Sequence, residues 1–103
     1  MILTTTETIS GRELETLGLV QGSTIQSKHV GHDIAESFKT LIGGELNSYT
    51  EMMNKARAIA TDRMINQATQ WGADAIVCVR YTSSEVTQGA AEVICYGTAV
   101  KFR

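Results

Sequence analysis

The alternation of hydrophobic and polar positions predicts four strands, two near each end of the chain. Residues 1–6 and 17–27 are rich in Thr, Val, Ile and Leu, a composition typical of strands. Residues 73–87 and 91–102 predict two further long strands, joined by a hairpin turn at Gln88-Gly89. The segment between the first two strands has no clear pattern.

Features inside two of these strands predict close packing. Residues 75–79 are nearly continuous in apolar side chains, so both faces of that strand are expected to be covered. Gly18 and Gly22 interrupt the second strand, which indicates bulges or the close approach of another backbone.

A short helix is predicted over residues 33–42. Asp33 and Glu36 have the spacing of a capping box, in which each side chain bonds a free backbone N–H of the first turn. Gly43-Gly44 is expected to end this helix and to lead into the next one.

A second, longer helix is predicted over residues 49–71. Ser48 and Glu51 form another capping box, and Gly72 stands where a helix-ending glycine belongs. At helical spacing the apolar side chains fall on one broad stripe, with Trp71 expected in the core. The members of this stripe are Met52, Met53, Ala56, Ile59, Ala60, Met64 and Trp71.

The opposite side of the long helix carries a ridge of smaller residues. It consists of Ala58, Thr61, Ile65 and Ala68. Such a ridge often contacts another helix, and the alternative is an ordinary exposed surface.

The order strand-strand-helix-helix-strand-strand predicts an α+β fold in which an antiparallel sheet packs on the long helix. With 103 residues, the chain fits a single domain over residues 1–103. A core of this size is thin, and association with further copies is an ordinary way to bury more surface.

Composition narrows the functional classes. The formal net charge is −2 and basic residues do not cluster, so nucleic-acid binding is not expected. No apolar stretch approaches the roughly 20 residues of a membrane span. The N-terminus lacks the basic start of a signal peptide, which predicts a cytoplasmic protein with reduced cysteines.

Metal binding is one candidate chemistry, because thiolate and imidazole ligands suit zinc and copper. The candidate ligands are Cys78, Cys95, His29 and His32. They lack the spacing of a closed zinc site, and the alternative for the cysteines is a place in the hydrophobic core. No catalytic motif is present, so an enzyme is the least favoured class.

The hairpin register predicts where the two cysteines lie. A turn at Gln88-Gly89 places Cys78 opposite Ala99 and Cys95 opposite Thr82. Both sulfurs would then share one face of the sheet, roughly 13 Å apart along the strands. A turn at Val86-Thr87 would place them directly opposite, but β-branched residues poorly adopt the positive φ such turns need.

Two arginines of the long helix are the candidate anion ligands. Arg63 projects from the centre of the apolar stripe, and Arg57 lies at its edge. A charge there must extend to solvent or find a partner, which could be a structural ion pair or a ligand. The Gly43-Gly44 turn, followed by a helix start, could also bind an anion through its backbone N–H groups, but a tight helix–helix turn with a cap is the favoured interpretation.

Several short motifs together resemble the YbjQ-like family of small bacterial proteins. They are Gly43-Gly44-Glu45-Leu46, Tyr49-Thr50, Ala56-Arg57, Gly72-Ala73-Asp74-Ala75-Ile76, Val79-Arg80-Tyr81 and Tyr96-Gly97-Thr98-Ala99-Val100. The family is labelled as heavy-metal-binding. The resemblance covers the whole chain and implies a dodecin-like subunit, assembly into a homopentameric ring, and a divalent metal ion as a candidate cofactor.

The motifs and the helix pattern lead to two competing functions. The first is a ring-forming module that binds small ligands or metal ions at subunit interfaces, through Glu45, Tyr49, Thr50, Arg57 and Arg63. The second is a purely structural or protein-interaction assembly with no ligand, indicated by the small-residue ridge. Analogy with dodecins would add flavin as a ligand, on the fold alone.

Overall fold

The structure, a computed structural model, describes residues 1–27 and 45–103, with side chains described outside residues 45–47. The predicted first helix, the Gly43-Gly44 turn, His29 and His32 lie outside the described residues. In the described part, strands β1 and β2 are followed by helix α1 and strands β3 and β4. Their bounds are Ile2–Leu3, Leu14–Ser27, Glu45–Gln70, Ala75–Thr87 and Ala90–Phe102. The predicted α+β class is confirmed.

The four strands form one sheet in the order β1-β3-β4-β2. Strand β4 pairs antiparallel with both β2 and β3, whereas β1 pairs parallel with β3. The prediction of a wholly antiparallel sheet is therefore wrong at β1. The chain places β1 and β2 at opposite edges, and the connection between them crosses the sheet face that α1 does not cover. Both strands consequently run in the same direction.

Helix α1 packs on the other face through a ridge of residues spaced by four. All of its members are buried: Met52, Ala56, Ala60, Met64 and Ala68. The last four pack with Val20 of β2, Ile76 and Val79 of β3, and Val93, Cys95 and Ala99 of β4. Three of the five ridge residues are alanine and the other two are flexible methionines, which lets the helix approach the sheet closely.

The buried ridge turns around the helix, which corrects the predicted stripe. Each step of four residues rotates by about 40°, so Ala68 points about 160° away from Met52. A twisted sheet can follow this rotation, whereas a single averaged stripe cannot. Ile65 consequently packs against the core and Ala68 is fully buried, so the predicted small-residue ridge is not a free surface.

Gly22 of β2 is the point of closest approach between helix and sheet. A Cβ atom there would overlap the Ala60 carbonyl oxygen and the Met64 amide nitrogen, and would lie 2.8 Å from Arg63 Cβ. Gly18 lies at a register shift in β2, with φ of 146°. The sequence predictions for both glycines are confirmed: Gly18 marks a bulge and Gly22 a close backbone contact.

The far face of the sheet holds a second, smaller cluster of Ala75, Val77 and Val100. Ile9, from the crossing connection, packs on it together with Leu14, Cys78 and Phe102. Both faces of residues 75–79 are therefore covered, as predicted from their continuous apolar run.

The end of α1 forms a compact cap. The Gly72 N–H donates to the Thr69 carbonyl oxygen (3.0 Å) and the Ala73 N–H to that of Ala68 (3.1 Å), with Gly72 at φ of 75°. This confirms the predicted role of Gly72. Trp71 is 44% exposed, so its predicted place in the core is wrong. It follows the last helical residue, and its ring lies beside Gly18 on the surface.

The start of α1 differs from the prediction by one turn. The helix begins at Glu45, so Ser48 lies within it and does not cap it. Glu and Leu are good helix formers, and they extend the helix past the residue that resembled a cap. Among the described residues, no helix is both long and apolar enough to cross a membrane.

The hairpin turn at Gln88-Gly89 is confirmed, but the register beyond it is not the predicted one. Bulges interrupt β3 between Val77 and Arg80 and between Glu85 and Thr87. Cys95 therefore pairs with Tyr81 instead of Thr82. Each bulge adds one unpaired residue to β3, which shifts every later pair and changes the face on which side chains lie.

Cys78 occupies the bulge nearer the start of β3. Its φ is 55°, a left-handed conformation that is uncommon for residues other than glycine. Ala99, its predicted partner, pairs with Ile76. The bulge places Cys78 on the far face of the sheet and Cys95 on the helix face, so the prediction that both sulfurs share a face is wrong.

Candidate functional site

The flank of α1 that faces β3 meets the sheet through polar side chains. Its ridge has a spacing of four residues and consists of Tyr49, Met53, Arg57, Thr61 and Ile65. Opposite this ridge, the bulge at Cys78 turns Tyr81 and Ser83 of β3 toward the helix. Without the bulge, strand alternation would direct both side chains to the far face.

Thr61 links the helix to Tyr81. Its hydroxyl donates a hydrogen bond of 2.6 Å to the Arg57 carbonyl oxygen, and the Thr61 and Tyr81 oxygens are 2.8 Å apart. A threonine hydroxyl has a single proton. Because that proton is used on Arg57, Tyr81 must donate to Thr61, and the Tyr81 oxygen keeps its lone pairs for an incoming donor.

Burial and these contacts hold two nearby groups in their neutral forms. Burial, followed by the neighbouring Cys95, raises the pKa of Tyr81 above its ordinary value. Burial raises the pKa of the Cys95 thiol more than the neighbouring Tyr81 and Thr61 hydroxyls lower it. At neutral pH the site therefore contains a phenol and a thiol, without phenolate or thiolate.

Arg57 lies beside Tyr81 at the mouth of a cleft. Its Nη2 donates to Asn54 Oδ1, which orients the guanidinium, and its positive charge acts on the Tyr81 hydroxyl. The cleft has an empty volume of about 250 Å³, part of it open to solvent. It is lined by Met53, Arg57, Tyr81, Thr82, Ser83 and Val93. The arrangement offers one cation, several neutral polar groups and a small apolar floor.

Arg63 lies on the other flank of α1, over the outer edge of β2. It donates a hydrogen bond of 2.7 Å to the Ser23 carbonyl oxygen. One turn further on, Gln67 Oε1 accepts a 2.8 Å bond from the Gln21 N–H. Arg63 thus contacts an edge strand, and a single chain does not bring it together with Arg57.

The other residues predicted for ligand binding lie nearer the start of α1. Tyr49 is half-exposed and shares a ridge with Arg57, eight residues or about 12 Å away along the helix axis. Thr50 is exposed. Glu45 opens the helix. Of the predicted ligand residues whose side chains the structure describes, only Arg57 lines the cleft.

The candidate metal ligands do not converge in the described part of the chain. Cys95 Sγ lies 3.5 Å from Met64 Sδ inside the main core, and Cys78 Sγ lies 3.8 Å from the Thr6 carbonyl oxygen on the far face. Both are free cysteines. Residues 1–27 and 45–103 contain no group of three His, Cys, Asp or Glu side chains that could hold a metal ion.

Sequence reasoning missed Thr61, Tyr81 and Ser83 as site residues. The four-residue spacing from Arg57 could have indicated Thr61. Tyr81 belongs to the family motif, but the face of the sheet on which its side chain lies depends on the bulge at Cys78. A cysteine at that position gives no signal for a bulge.

Known proteins of one family are similar to this chain over its whole length. The sequence profile of the YbjQ family, described as "Putative heavy-metal-binding", matches residues 1–103. A UPF0145 protein of Alkaliphilus metalliredigens is 64% identical over 102 residues, covering 99% of each chain. A UPF0145 protein of Clostridium novyi is 61% identical over 101 residues, covering 98% of each chain.

A solved structure shares the fold. A protein of unknown function from Pediococcus pentosaceus, assigned to the DUF74 family, superposes with a TM-score of 0.66 at 17% identity. The match covers 100% of this chain and 98% of the other. At this level of identity the similarity shows the fold alone.

Proposed function

Because the chain belongs to the YbjQ family, with UPF0145 proteins as its relatives, we propose that it is a non-catalytic homo-oligomeric binding module. Small ligands or metal ions would bind at the boundaries between subunits, and Arg57 would be the main contact residue. A dodecin-like subunit, a pentameric ring and a cytoplasmic location belong to the same proposal and rest on the family resemblance.

The position of the cleft beside a sheet edge is the observation that carries this proposal. β1 and the residues after it bond to β3 as far as Val79, through Thr4 and Thr6. Beyond Val79, every residue of β3 from Arg80 to Thr87 is exposed. A neighbouring subunit that pairs along this edge would cover the open side of the cleft.

The size of the cleft supports a site completed by a second copy. Pockets for small molecules usually measure roughly 300–1,000 Å³ and bury most of the ligand. The comparable volume of the cleft is far smaller, at about 70 Å³, since its 250 Å³ of empty space includes open solvent. A single chain therefore offers a half-site, and the β3 edge beyond Val79, which pairs with no other strand among residues 1–27 and 45–103, lies where the missing wall would come from.

Native mass spectrometry of untagged protein, purified without chelator, tests the proposal. We expect a defined oligomer whose mass exceeds a multiple of the chain mass by a ligand or ion that is lost on denaturation. Arg57→Ala should remove the excess mass and keep the oligomer. A monomeric protein would contradict the proposal, and so would an Arg57→Ala variant that keeps the excess mass.

A purely structural assembly is the second candidate, and the exposed β3 edge also supports it. In that case the mass of the oligomer should be an integer multiple of the chain mass, with no excess from a ligand. A charged substitution at Val86, which is 49% exposed at the end of this edge, should then shift the oligomeric state. The Arg57→Ala variant would behave like the unmodified protein.

A further inference from the structure

We propose that the cleft between α1 and β3 binds a small oxyanion that carries a hydrogen-bond donor next to its charged group, as a 2-hydroxycarboxylate does. This inference rests on the proposed function, because it assigns a ligand class to the same site. It favours an anion over the metal ion that the family description suggests.

The charge of the cleft comes from Arg57. None of the six described lining residues is acidic, and among them the Arg57 guanidinium is the one charged group. Asn54 holds one of its nitrogens, which leaves further N–H donors for a ligand. A guanidinium matches the planar, two-oxygen face of carboxylates and phosphates, and it repels metal cations.

The neighbouring contact specifies a donor on the ligand. The Tyr81 proton is used on Thr61, because the Thr61 proton is used on the Arg57 carbonyl. The Tyr81 oxygen therefore offers lone pairs, and a ligand hydroxyl can donate to them. Since Tyr81 stays a neutral phenol at physiological pH, it does not repel the anionic group bound by Arg57.

The remaining lining limits the size of the ligand. Met53 and Val93 supply a small apolar surface, and Ser83 supplies one hydroxyl that can donate or accept. A two- or three-carbon acid matches these few contacts and leaves the open side of the cleft for the neighbouring subunit.

Titration by NMR tests the ligand class directly. Amide spectra of the ¹⁵N-labelled protein would be recorded with glycolate, with methoxyacetate, which lacks the hydroxyl proton, and with inorganic phosphate. We expect shifts at the backbone amides of residues 57, 61 and 81–83, and roughly three- to tenfold tighter binding of glycolate than of methoxyacetate, the effect of one hydrogen bond. If phosphate binds more tightly than glycolate, the oxyanion is a phosphate. If only the carboxylates bind, the oxyanion is a carboxylate.

Variants separate the two contacts. Arg57→Gln should weaken the binding of all three anions at least tenfold. The Tyr81→Phe variant should still bind both carboxylates but lose the preference for glycolate. Lys55→Gln removes a positive charge from an exposed position on the same helix and should behave like the unmodified protein. Well-dispersed amide spectra would confirm that each variant is folded.

Two results would overturn the inference. One is equal binding of glycolate and methoxyacetate by the unmodified protein; the other is undiminished anion binding by Arg57→Gln. If zinc or cadmium shifts the same amides and the anions do not, the ligand class is wrong but the binding module stands. If neither anions nor metals bind and the protein is a monomer, the proposed function fails as well.

Discussion

The two flanks of α1 carry one arginine each, and the two side chains have different surroundings. On the β2 flank, Arg63 bonds the Ser23 carbonyl oxygen and Gln67 bonds the Gln21 N–H, so the helix covers a strand edge. On the β3 flank, Arg57 lies at the mouth of a cleft. The residue type alone therefore does not tell a structural arginine from a candidate ligand-binding one.

The residues on the sheet produce this difference. β2 presents Gly22 to the helix, and without a side chain the backbones come into contact. β3 presents Tyr81, which meets the helix through the Thr61 hydroxyl and holds the two elements further apart. The β2 flank, where the backbones touch, is closed and supports the fold. The β3 flank is open and leaves space for a ligand.

The largest expected effect comes from a substitution that pushes α1 away from β2. Gly22→Ala would place a Cβ atom against the backbone of Ala60 and Met64, which cannot move without shifting the helix. We expect a loss of about 3 kcal/mol in the free energy of unfolding. Urea denaturation at matched protein concentration measures it.

Ser23→Ala is the matched control for that experiment. Ser23 is exposed, and its backbone carbonyl still accepts the bond from Arg63. The change should cost less than about 0.5 kcal/mol. Equal losses for Gly22→Ala and Ser23→Ala would show that the close approach at Gly22 does not limit stability.

A smaller effect distinguishes the two arginines. Arg63→Ala removes a charged hydrogen bond to a strand edge and should lower the free energy of unfolding by about 1 kcal/mol, after allowance for its exposure. Arg57→Ala should change it by less than about 0.5 kcal/mol. Denaturation of both variants checks the order, and a larger loss for Arg57→Ala would contradict the assignment of the flanks.

The smallest effect concerns pH. The pKa of Cys95 is raised above its ordinary 9.0, and that of Tyr81 above its ordinary 10.0. Above pH 9 the unfolded chain releases protons that the folded protein keeps, so stability should fall as pH rises through this range and stay level below it. Cys95→Ala should reduce the slope measured between pH 8 and 11. An unchanged slope would exclude Cys95 as its source.

Residue patterns predicted much of the scaffold. The apolar run at residues 75–79, the turn at Gln88-Gly89 and the glycine at position 72 each depend on local chemistry, and each is confirmed. The face on which Cys78 lies was not predictable, because a bulge arises from the fit of two strands. The candidate site was predicted only at Arg57, since Tyr81 reaches the cleft through that bulge.

The sequence by itself determined the α+β class, the hairpin and the cap that ends α1, because these depend on neighbours along the chain. Only the tertiary structure decided which flank of α1 is closed. The buried ridge rotates about 160° along a twisted sheet, and this rotation takes Arg63 to the β2 edge and leaves Arg57 at the cleft. Those positions depend on contacts between residues 20–40 apart, which the local pattern of side chains does not contain.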